Sequence, residues 1–182
     1  KILADSLTPL AGKSETEVCE EALRGLSVRA ELYPAGWYDP PPGGVSTLWG
    51  AVPFTRLQYD SLREEKNWPS PDVRFEEETV GSVYLSSVER RTNMIGDVGL
   101  TIYNGNNDEI KRHIRVCHDA ILAVAEYTAV GQSFSDLYAH AMKYFRKKSL
   151  KIGWMTTVHD PLQKINLGHT IPGSYKDVNF GN

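Results

Sequence analysis

Apolar residues recur along this chain with two different periods. Val18, Ala22, Leu26 and Ala30 share one face of a 3.6-residue repeat, and Ser14 with Glu17 three positions on has capping-box spacing. The pattern predicts a first helix over 15–31, ended by Pro34. From Tyr33 to Gly44 the consecutive prolines 40–42 and the glycines forbid a helix and disfavour a central strand. This loop is either a rigid surface connection or a pocket wall built on the apolar faces of Trp37 and Tyr38. Short β-branched and aromatic runs over 45–52, 73–89 and 98–103 read as strands. The stretch 57–71 is polar and reads as a loop, and Asn104 to Asn107 is a strong turn signal. Ile110, Ile114, Cys117, Ile121, Val124 and Thr128 then define a long helix, with Asp108 and Glu109 favourable to its dipole and Gly131 closing it. Ser133 with Asp136 opens a third helix to about Lys148. Strands before and after a helical pair predict a single α+β domain over 1–182.

Composition narrows the partners. The 182 residues carry 20 Lys and Arg against 23 Asp and Glu, a net charge of −3, and 41% are hydrophobic. A chain of this length buries roughly 70% of its unfolded surface, so a core needs no disulfide or metal. With no basic face, nucleic acid is not an expected partner, and a small molecule or short peptide is. No apolar stretch approaches the ~18 residues of a membrane helix, and Lys1 to Asp5 lacks a signal peptide's apolar core. A cytoplasmic protein without a membrane partner is expected. Cys19 and Cys117, on predicted helices among apolar neighbours, read as buried thiols.

Three segments in order resemble the creatinase, aminopeptidase P and methionine aminopeptidase superfamily, the pita-bread fold. Gly12-Lys13-Ser14-Glu15-Thr16-Glu17 is similar to the opening of that family's first domain helix. Gly96-Asp97-Val98-Gly99-Leu100-Thr101 is similar to the segment carrying its second metal-binding aspartate. Gly168-His169-Thr170-Ile171-Pro172-Gly173 looks like the strand carrying its metal-binding histidine. The resemblance implies a curved, mostly antiparallel sheet with helices on its outer face, a fold that continues beyond a tail like this one, and a homodimer.

The resemblance also implies a ligand set: two aspartates about eleven residues apart, the histidine and two later glutamates, because hard divalent ions want several charged oxygens. Eleven positions before Asp97 stands Ser86, a neutral hydroxyl. Glu89 has the wrong strand offset for the same face, and no glutamate follows Glu126. Only Asp97 and His169 match metal ligands. The expectation is therefore a metal-degenerate pita-bread enzyme without a cofactor, cleaving or rearranging a carbon–nitrogen bond of a small amino-acid-derived substrate. His169 is its principal acid or base, with Asp97 and His159 beside it. Ser86, Trp37, Tyr38 and Arg90 are the candidate substrate contacts, although Arg90 and Arg91 suit a solvated charged turn better. One alternative is an Xaa-Pro-type aminopeptidase whose Mn, Co or Zn ions take Asp97, His169 and ligands outside this chain. The other is a non-catalytic peptide-binding pseudoenzyme. His113, His118 and His140, on helices, are expected to carry no chemistry.

Overall fold

The capping box at Ser14 forms: the Ser14 amide donates to Glu17 Oε2 at 2.6 Å and the Glu17 amide to Ser14 Oγ at 3.2 Å. It opens helix α1, Glu15–Ser27, in a computed structural model that describes residues 10–37, 42–52, 65–96 and 98–150. The helix stops well before Pro34. The Arg29 and Ala30 amides both turn onto the Leu26 carbonyl, and Leu32 then makes a β-bridge with Glu89. A nonlocal pairing thus ends the helix where the sequence alone offered only the proline.

A short 3-10 turn, Pro42–Gly44, leads into strand β1, Val45–Ala51, and a second, Glu65–Asn67, precedes the remaining strands. Strands β2, Thr79–Leu85, and β3, Val98–Asn104, complete an antiparallel sheet ordered β1-β2-β3. The run 73–89 is not one strand. Arg74 bridges to Ser14, the chain turns at Glu78 with φ 58°, and β2 begins only at Thr79.

The first five residues of β1 are all buried rather than alternating. Register puts Trp49 opposite Gly81, and the indole lies over that glycine, where any Cβ would meet the ring at 2.3 Å. Trp49 packs on Phe75 with ring centroids 4.8 Å apart, and Val18 and Val83 complete this core. A second cluster joins Cys19 and Ala22 of α1 to Val45 of β1.

Glu15, the first residue of α1, is fully buried. Its carboxylate accepts the Trp49 amide at 2.6 Å and the Ser70 amide at 2.7 Å, and its carbonyl accepts the Thr47 hydroxyl at 2.5 Å. With the Thr47 proton so used, the Cys19 thiol donates to Thr47 Oγ1 across 3.3 Å. Burial pushes the Cys19 pKa up to about 11, so the thiol stays protonated and inert.

Helices α2, Asp108–Tyr127, and α3, Phe134–Lys147, follow; Ser133 caps α3 by accepting the Asp136 amide, as its spacing predicts. They pack on each other with Ala120 and Ala141 buried and the Tyr127 and His140 rings stacked at 3.8 Å. Cys117 is half-buried rather than buried. The chain divides into two compact units, broken between Asn107 and Asp108. Among the described residues no helix is long and apolar enough to cross a membrane.

Replacing Glu15 by alanine leaves the buried Trp49 amide and the half-buried Ser70 amide without this acceptor. The expected loss is about 2–4 kcal/mol of stability, read as a lower urea midpoint at unchanged slope. Glu15→Gln keeps one acceptor oxygen and loses less.

Candidate functional site

Strand β2 delivers Ser86 and Ser87 to its end, and the proline-rich loop closes over them. The Ser86 amide donates to the Gly44 carbonyl at 2.6 Å, and its hydroxyl reaches the same oxygen at 3.3 Å. The Ser87 hydroxyl donates to the Gly43 carbonyl at 2.6 Å. From the other side the Trp37 amide donates to the Ser86 carbonyl at 2.9 Å, and the Trp37 indole Nε1 donates to the Gly96 carbonyl at 3.1 Å. Gly96 returns its own amide to the Ser87 carbonyl at 2.8 Å. Two sequence candidates, Trp37 and Ser86, are therefore brought together, next to the residue that precedes Asp97 in the chain.

Glycine makes this approach feasible. Gly44 has φ +70°, and a Cβ there would lie 2.7 Å from Gly36 Cα and 2.8 Å from the Ser86 carbonyl carbon. A Cβ on Gly36 would meet Ser86 Oγ at 2.4 Å. Ser86 is 1% exposed, walled by main chain, whereas the Trp37 side of the assembly opens to solvent at 39%.

Arg90 stands farther along the same segment. Its guanidinium pairs with Glu31 at 2.9 Å and lies 5.5 Å from the Tyr33 ring centroid, and its amide donates to the Glu31 carbonyl. Glu89 opens the turn before Met94: its carboxylate accepts the Thr92 hydroxyl at 2.6 Å, the Thr92 amide at 2.8 Å and Arg91 Nε at 3.2 Å. The Thr92 hydroxyl is the largest cause, ahead of that residue's amide and Arg91, of a Glu89 pKa lowered from 4.5 to about 2. Tyr38, Asp97, His159 and His169 lie outside the described residues.

A divalent ion requires several oxygen or imidazole ligands converging on one point. At the position of the first expected aspartate, Ser86 offers one neutral oxygen, sealed by Gly36 and Gly44 and directed at a carbonyl. Among the described residues no three His, Cys, Asp or Glu side chains come close enough to hold a metal. The described part of the site does not fit a metal pair.

The model of metallopeptidase family M24 matches residues 69–178. The chain belongs to this family. The match covers the strand carrying Ser86, both helices and the segment with His159 and His169. Among solved structures, an X-Pro aminopeptidase from Thermotoga maritima MSB8 superimposes with a TM-score of 0.53 at 15% identity, covering 81% of this chain and 37% of that one. An Xaa-Pro dipeptidase from Bacillus anthracis gives 0.51 at 15% identity, with 81% and 38% covered. The chain thus spans less than two-fifths of the length of either. These likenesses establish the pita-bread fold, as the three sequence segments implied. No curated protein matches the chain.

Two features escaped sequence reading: the buried carboxylate of Glu15, and the glycine clamp in which Gly36 and Gly44 close on Ser86 while Gly43 accepts from Ser87. Paired Gly43-Gly44 facing paired Ser86-Ser87 was the available signal for the clamp.

Gly44→Ala is expected to cost about 2 kcal/mol or more, because it adds positive-φ strain to backbone overlap, and to lower the thermal midpoint. Glu89 gives a pH signature. Its folded pKa lies below the ordinary one, so its stabilising contribution is whole above about pH 4.5 and is lost as pH falls through that value towards 2. Acid titrations of stability are expected to be flatter across this window in Glu89→Gln than in the parent.

Proposed function

We propose that this M24 chain belongs to a metal-degenerate, aminopeptidase-like enzyme that cleaves a carbon–nitrogen bond in a small amino-acid-derived or short-peptide substrate. The observation that carries the reading is Ser86. At the position where the family resemblance implies a metal-bridging aspartate, the sequence has a hydroxyl, which donates to the Gly44 carbonyl. Ser86 is 1% exposed and has Gly36 and Gly44 closed against it.

His169 then serves as acid and base, since an imidazole changes charge near neutral pH. In this reading water adds to the substrate carbonyl while His169 takes its proton. The proton passes to the departing nitrogen as the carbon–nitrogen bond breaks, leaving an acid and an amine. Asp97 and His159 orient the histidine and the substrate's charged ends. The exposed indole of Trp37, held through its Nε1 on Gly96, supplies an apolar wall for a side chain or ring.

Metal analysis of the purified chain before and after chelation, combined with turnover of dipeptides and amidino amino acids, tests this reading. The expected outcome is no stoichiometric metal, chelator-insensitive cleavage, and a loss of at least ~100-fold in His169→Ala, the scale of a general acid–base group. Two tightly bound ions per chain overturn it in favour of a metallopeptidase. Binding without turnover in the parent overturns it in favour of a peptide-binding protein.

A further inference from the structure

The α2–α3 hairpin carries an open surface concavity of about 370 Å³, its charged lining residues exposed, that the proposed chemistry does not use. Arg112, His113 and Val116 of α2 line it on one side, and Lys147 to Leu150 at the end of α3 on the other. Three permanent cations and a histidine face this space, and no carboxylate is among its described lining residues. This inverts the balance of a chain whose net charge is −3.

Helix electrostatics account for only part of the clustering. Lys147 belongs to the last turn of α3, where the negative end of the dipole welcomes it. Arg112 lies in the second turn of α2, beyond the reach of that helix's dipole, which therefore does not account for a cation there. Asp108 and Glu109 occupy the first turn of α2 but do not line the cavity. Among the described residues no carboxylate forms an ion pair with Arg112, Lys147 or Lys148. Lys148 has only the Tyr144 ring, 5.8 Å from its ammonium. Like charges gathered around one concavity without counter-charge repel each other, and an anion seated among them relieves that repulsion.

We infer that this cavity is a binding site for the phosphoryl group of a small soluble molecule. A guanidinium suits bidentate contact with a phosphoryl group, two ammonium groups add point charge, and the Ser149 hydroxyl and His113 ring add donors. The volume falls within the range of small-molecule sites. It leaves room beyond the phosphate for an organic part, for which Val116 and Leu150 are the apolar surface.

Isothermal titration of the full chain with phenyl phosphate at physiological salt tests the site. The expected result is saturable binding, weakened at least about tenfold in Arg112→Gln and in the double variant Lys147→Gln/Lys148→Gln, the loss that follows from removing a charge-assisted hydrogen bond. Lys143→Gln, a cation on α3 that does not line the cavity, is expected to bind like the parent. Thermal midpoints of all variants within the parent's range show that each is folded. A parallel arm uses phosphatidic acid vesicles. No saturation up to about 10 mM phenyl phosphate, equal weakening in Lys143→Gln, or binding to vesicles alone overturns the inference.

Discussion

A buried carboxylate is costly unless hydrogen-bond donors meet its oxygens, and in this protein that requirement organises the first unit. Glu15 receives the amides of Trp49 and Ser70 on its side chain, the Thr47 hydroxyl on its carbonyl, and gives its own amide to the Val73 carbonyl. One residue at the positive end of α1 thereby ties together the helix, strand β1 and the segment that leads to β2. The consequences propagate by packing. Fixing α1 on β1 sets Cys19 against Thr47 and Val18 beside Trp49, and Trp49 in turn requires a glycine at the facing position of β2.

The sheet so positioned carries Ser86 and Ser87 under the loop glycines, where main chain surrounds them. Gly36 and Gly44 approach Ser86 more closely than any residue with a Cβ permits, and the two serines donate to the carbonyls of Gly44 and Gly43. M24 membership and this clamp occur in one chain: the family scaffold is present, and Ser86 within it is held by backbone hydrogen bonding. Arg90 has a comparable commitment, since Glu31 and Tyr33 occupy its guanidinium.

The helical unit follows a different logic. Its hairpin is held by small residues, Ala120 and Ala141, and by the stacked Tyr127 and His140 rings. His140 thus acquires a packing role, while His113 contacts the Cys117 thiol at 3.6 Å and faces the basic cavity. The cavity brings cations from the start of one helix to cations at the end of the next, a juxtaposition that the hairpin creates and neither helix shows alone.

What the sequence by itself determined is local. Ser14 with Glu17, Asp108 with Glu109, and Ser133 with Asp136 mark helix starts because caps and dipoles act within one turn. The β-branched and aromatic runs located the three strands, and three short segments sufficed for the pita-bread family. Only the tertiary structure decided where α1 ends, because the Leu32 bridge to Glu89 spans distant positions, and that Cys117 is half-buried. It alone revealed that Glu15, which reads as an ordinary surface acid of an amphipathic helix, is buried, and that Ser86 is sealed by glycines more than forty residues away. Burial and hydrogen-bond partnership depend on which segments meet in space, and periodicity along one segment holds no record of what approaches it from another.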